Sequence, residues 1–107
     1  MFILFSNLDN REKRGITLYL DLFKTKEYNK IVGRLIRKRR IWNDFTIELL
    51  AEKTGYSTNH ISKVELGTSQ PGIGVFHAIC DVLEINATEF FLEVREELEA
   101  WDRENKK

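Results

Sequence analysis

An all-α fold is expected from residue 28 onward, and three observations predict it. Apolar residues recur at helical spacing, from Ile31, Leu35 and Ile36 through Phe76, Ile79, Cys80 and Leu83. Two short stretches, 46–54 and 57–66, are each followed by one glycine, Gly55 and Gly67, where a chain leaves a helix. Between residues 28 and 107 nothing alternates with the period of two that marks a strand. The 107 residues, 42% of them hydrophobic, suit one compact domain.

The elements follow in order. Residues 28–41 form a basic, proline-free helix that breaks at Asn43 and Asp44. Thr46 stands at the N-cap of the next helix, whose apolar stripe is Ile47, Leu50 and Ala51. Gly55 ends it, because glycine takes a left-handed backbone without steric penalty. Ser57 caps a third helix running through Glu65, and Pro71 marks the loop that follows. Phe76 to Leu83 make the fourth helix, and Thr88 caps a last one running to about residue 105. Residues 1–27 are an N-terminal extension, a hairpin or dimerisation arm. Ile16, Leu18, Leu20 and Leu22 alternate with polar residues, so 2–6 and 16–22 read as a β-hairpin. A helix carrying Ile16, Tyr19, Leu20 and Phe23 is the alternative. The division is then 1–27 extension, 28–91 helical domain, and 92–107 acidic C-terminal helix or tail.

Composition excludes several functions. No apolar stretch reaches the 18 or more residues of a spanning helix. The opening MFILFS is too short for a secretory core and no positive residue precedes it. A single cysteine, Cys80, supports neither an internal disulfide nor a thiolate metal cluster, and a reducing, cytoplasmic, nucleoid-associated setting is expected. Two histidines, one cysteine and no acid pair do not assemble a catalytic group, so no enzyme, metal or cofactor is expected. The formal net charge is zero, yet the charge is segregated. Residues 1–27 balance at +1, 28–67 at +4 and 68–107 at −5. That pattern reads as two surfaces with different partners.

The two short helices joined by Gly55 and Tyr56 have the helix–turn–helix arrangement. In the second, Ile61 and Val64 point toward the Leu50 and Ala51 stripe. Asn59, Ser62 and Lys63 share another side, with Thr58 one turn before Ser62. Small hydrogen-bonding residues on a free helix face suit a DNA major groove, where each base pair shows its own donor and acceptor pattern. Asn can bridge adenine N6 and N7, Lys can donate to guanine, and Thr and Ser serve bases or phosphates. A solvated outer face with no partner is the bland alternative.

The run from Val32 to Phe91, above all LAEKTGYSTNHISKVELG, resembles the lambda-repressor-like, Cro-type helix–turn–helix domains, also called the xenobiotic-response-element (XRE) family. The resemblance implies a five-helix DNA-binding domain, here with an N-terminal extension and an extended C-terminal helix. It implies base reading by Thr58, Asn59, Ser62 and Lys63 on a recognition helix of residues 57–65. Phosphate contacts would come from Thr46, His60, Arg37, Lys38, Thr68 and Ser69. Arg40 and Glu65 match positions that form a structural ion pair. One departure stands out: relatives commonly carry glutamine at the second position of the first motif helix, where this chain has Ile47.

A single domain reads few base pairs, and relatives bind as dimers on two half-sites. Phe91, Val94, Leu98 and Trp101 fall at the spacing of a coiled-coil seam and are dimer candidates, a packed tertiary contact being the alternative. The expected function is a sequence-specific regulator of transcription, a dimeric repressor acting by occlusion on double-stranded DNA, without a membrane partner. An antitoxin whose acidic C-terminal region holds a protein partner, or an interaction adaptor on the same fold, are the alternatives. Asn59→Ala or Lys63→Ala should relax site preference, and Lys38→Ala should weaken all sequences alike.

Overall fold

The structure, a computed structural model, describes residues 8–12 and 21–105, and all regular structure among them is helical. Five α-helices follow a 3-10 turn at Leu22–Lys24: α1 Lys26–Trp42, α2 Ile47–Thr54, α3 Thr58–Leu66, α4 Ile73–Leu83 and α5 Ala87–Asn105. The hairpin read at 2–6 and 16–22 lies outside the described residues except for Asp21 and Leu22, and those two are helical. Near the start, Asp9 accepts from the Glu12 amide at 2.7 Å, the local bond of a helix cap.

Side-chain caps begin four of the five helices. Thr25, Thr46 and Ser57 accept from the third amide of α1, α2 and α3. On α5 the cap is Asn86, which accepts from Glu89 at 3.0 Å, two residues earlier than the threonine expected there. Gly55 and Gly67 take φ of 81° and 77°, ending α2 and α3 in the left-handed region that glycine favours. The end of α4 had no such marker, because Glu84 itself adopts φ 54°. Asp44, at φ 58°, turns the chain between α1 and α2 in the same way.

One core joins all five helices. Ile36 on α1, Leu50 on α2, Ile61 on α3, Ile79 on α4, and Phe90 and Leu98 on α5 are all fully buried. Each such side chain stabilises the fold by about 1.5–3 kcal/mol relative to exposure. The axis of the arrangement is α1, which packs against both α3 and α5, while α2 packs against α3 and α4. Gly33 is what lets α1 lie so close to α3. A Cβ there would run into the backbone carbonyl oxygens of Val64 and Glu65.

The C-terminal helix departs most from the sequence reading. The boundary drawn between 91 and 92 falls inside α5, and Val94 and Leu98 belong to the same core as Phe90. That burial removes Val94 and Leu98 from the seam expected to face a second copy. Trp101 packs against the same core, and Phe91 alone of the four stays exposed. The basic and acidic segments also meet. Arg34 on α1 pairs with Glu97 on α5 at 3.0 Å, and Lys38 and Arg39 both reach Glu93 at 3.1 and 3.2 Å. Part of the charge that reads as two surfaces with different partners, Arg34, Lys38 and Arg39 against Glu93 and Glu97, is thus spent on a single internal contact.

Candidate nucleic-acid interface

The site is built on α2 and α3, held at a turn by Gly55. At the start of α3, the Ser57 hydroxyl accepts from the His60 amide at 3.1 Å, fixing the first turn. Ile61, Val64 and Glu65 bury one face of that helix. Thr58, Asn59 and Lys63 are exposed on the rest, and Ser62 is half-buried beside them. None of these four side chains makes a hydrogen bond or ion pair among the described residues. A capped helix thus presents a hydroxyl, an amide and an ammonium with their hydrogen-bonding capacity unspent. The donor and acceptor set matches what base edges offer in a major groove.

A buried ion pair fixes where that face points. Arg40 on α1 donates to both carboxylate oxygens of Glu65, Nε to Oε2 at 2.6 Å and Nη2 to Oε1 at 3.0 Å. Its third donor, Nη1, reaches the Phe45 carbonyl oxygen at 2.8 Å in the turn before α2. One guanidinium therefore ties α1, the end of α3 and the approach to α2. The two residues are 9% and 8% exposed, so losing either partner strands a desolvated charge.

The remaining candidates are unequal. Thr46 is exposed and caps α2, accepting from Leu49 at 3.0 Å, while its own hydroxyl proton remains free to donate. Ile47 is half-buried and packs against the core, so apolar packing occupies the place where relatives carry a polar side chain. The backbone amides at the start of α2 keep the positive end of the helix dipole available to a phosphate. Arg37 is exposed and has no ion pair among the described residues. Lys38 is different, being held by Glu93 and lying 5.5 Å from the Trp42 ring. Thr68 is exposed, with its hydroxyl and amide both turned to the Lys63 carbonyl, and Ser69 donates its amide to the same oxygen. For His60, Nε2 is buried without a hydrogen-bond partner, which takes that nitrogen away from any phosphate.

Two features escaped the sequence reading. Tyr56 lies beside His60 with ring centroids 5.8 Å apart. Glu93 is the hub of the α1–α5 contact. Burial tends to raise its pKa, but the hydrogen bonds and charges of Lys38 and Arg39 prevail and hold it below the ordinary carboxylate value. A sequence signal for that contact existed: Arg34 and Lys38 are four apart, as are Glu93 and Glu97, so antiparallel helices bring each base to an acid. Cys80 is buried on α4. Burial, then the charge of Asp81, pushes its thiol pKa up, the condition of an unreactive core cysteine.

Two short helices at a glycine turn, the second capped, free on one face and anchored on the other, define a helix–turn–helix protein. A family model described as helix-turn-helix matches residues 36–90, just over half the chain. The chain belongs to that Cro-type helix–turn–helix family. It is similar to y4aM, an uncharacterized HTH-type transcriptional regulator of Sinorhizobium fredii, at 31% identity over 85 residues. That match covers 79% of this chain but only 54% of the relative. The crystal structure of the clp gene regulator ClgR from Corynebacterium glutamicum shares the fold, with a TM-score of 0.67 and 18% identity. The alignment covers 72% of this chain and 82% of that one. No helix among the described residues is long and apolar enough to cross a membrane.

Proposed function

We propose that the protein is a sequence-specific DNA-binding regulator of transcription that lays α3 in the major groove and represses by occlusion. One observation carries this reading: Thr58, Asn59 and Lys63 are exposed, and unpaired among the described residues, on a helix whose other face is locked into the core. Asn59 and Lys63 are the base readers, with Thr58 and Ser62 beside them. Thr46, Arg37 and the Ser69 hydroxyl meet phosphates and set the register without reading sequence, whereas the Thr68 hydroxyl is already donated to the Lys63 carbonyl. The description of y4aM as an HTH-type transcriptional regulator supports the same reading.

Occlusion of a symmetric operator calls for two copies. The dimer contact is assigned to exposed apolar surface around Phe91 and Leu92, which are 45% and 51% exposed. Phe91 lines a groove of about 310 Å³ together with Tyr28, Val32, Pro71, Ile73 and Phe76. Glu93 and Glu97 are engaged by α1, so a separate protein partner would meet the exposed carboxylates Glu89, Glu96 and Glu104 of α5 instead.

The test is selection of bound duplexes from a random pool, followed by titration of variants. A two-fold symmetric motif is expected. Asn59→Ala should lose about 1–3 kcal/mol on the selected duplex and little on a random one. Equal loss on both duplexes refutes base reading by Asn59. Phe91→Glu should halve the mass seen by sedimentation, and an unchanged mass moves the dimer contact elsewhere.

A further inference from the structure

The first turn of α3 carries Thr58 and Asn59, and two ties converge on the residue that closes it. The His60 amide donates to the Ser57 hydroxyl, and the His60 ring packs on Tyr56. Tyr56 is the last residue before the cap, where an apolar group commonly packs back on the first turn and sets the angle at which the chain meets the helix. Here the pair is aromatic, with an interplanar angle of 35°, within the separation at which rings attract. The far end of Tyr56 points toward the open side of Gly74 on α4. Its hydroxyl would stand 3.7 Å from a Cβ placed on Gly74, in the first turn of that helix. Because the ring's Nε2 is shut from solvent and meets no hydrogen-bond partner, His60 is held there by its shape.

Building on the DNA-reading function above, we infer that Tyr56 and His60 are positioning residues that aim the base-reading turn of α3. Neither touches a base. Tyr56 packs its ring on that of His60, and His60 passes the constraint to the backbone between Thr58 and Ile61. A side chain that reads a base edge must arrive with its donors and acceptors in register, so a small tilt of this turn removes discrimination. Phosphate contacts, being less directional, survive the same tilt.

The test is a double-mutant cycle on the full chain, with Tyr56→Ala, His60→Ala and both together, and Tyr56→Phe beside them. Each protein is titrated on the selected and a random duplex at several salt concentrations. Tyr56→Ala and His60→Ala should each lower the preference for the selected duplex about two- to tenfold, the worth of one aromatic pair. The double variant should lose no more than either single. Random-duplex affinity and salt slope should hold, the melting midpoint should fall by no more than the several degrees that one aromatic pair is worth, and Tyr56→Phe should match the parent. Equal losses on both duplexes, multiplying single effects, or a phenylalanine variant as impaired as the alanine one each overturn the inference. If the parent shows no preference, the proposed function fails separately. Amide exchange of residues 58–61 in the free protein then decides: faster exchange in Tyr56→Ala sustains the pair, and unchanged exchange overturns it.

Discussion

The α1–α5 contact and the free face of α3 are both polar, but they handle polarity in opposite ways. Along α1, the cations Arg34, Lys38 and Arg39 are drawn to Glu93 and Glu97 within the same molecule. Along α3, Thr58, Asn59 and Lys63 have nothing of their own chain to bind among the described residues. Density of charge therefore does not locate the interface. The RKRR run at 37–40 is the most basic stretch of the chain, yet three of its four members are committed internally: Lys38 and Arg39 to Glu93, and Arg40 to Glu65. Of that run, Arg37 has no ion pair among the described residues.

The contrast can be broken by mutation, and the largest effect lies beneath both regions. Arg40→Ala or Glu65→Ala should lose about 3–5 kcal/mol of stability in denaturant unfolding, since each strands a buried charge. Replacing both by methionine should recover much of that loss; if it does not, the pair contributes more than its own desolvation. Gly33→Ala comes next, at about 1–3 kcal/mol, because α1 must shift off the α3 carbonyls to admit a methyl group.

Smaller effects separate the free from the committed cations. Arg37→Ala should lower the slope of log affinity against log salt by about one unit on any duplex. Lys38→Ala, expected from sequence to weaken all sequences alike, should change that slope far less, because Glu93 already holds the ammonium. Equal slopes for the two variants would show that DNA draws Lys38 away from α5.

The smallest effect is on Glu93. Its pairs are partly exposed, so Glu93→Gln should remove at most about 1 kcal/mol. The sign of its pH dependence follows from the lowered native pKa. The contribution is present at neutral pH and is lost as pH falls through that value, where the folded carboxylate takes up a proton. Acid titration of the unfolding midpoint should show this loss in the parent and its absence in Glu93→Gln.

Much of the architecture could be read locally. Thr46 and Ser57 as caps, Gly55 and Gly67 as helix ends, and the apolar spacing of 31–36 and 76–83 all rest on near-neighbour geometry. The exposed face of α3 was legible for the same reason, since helical periodicity separates Ile61 and Val64 from Asn59 and Lys63. The apolar spacing of α5 was visible too, but not its destination. Phe91, Val94, Leu98 and Trp101 look alike as a seam, and only α1 lying alongside decides that Val94 and Leu98 are spent within the monomer. Glu84 hid the end of α4 because a left-handed turn on a non-glycine residue carries no sequence marker.

The sequence by itself determined the helices, their caps and turns, and the side of α3 that faces outward, because backbone conformation and amphipathic period act over a few residues. Tertiary structure alone decided which charges are free. An ion pair between positions 34 and 97, or 38 and 93, depends on how two distant helices cross, and no local propensity encodes that. The close crossing at Gly33 brings α1 onto α3, and α5 settles along the other side of α1. From that packing comes the sorting of a uniformly polar surface into groups that stabilise the fold and groups left to read another molecule.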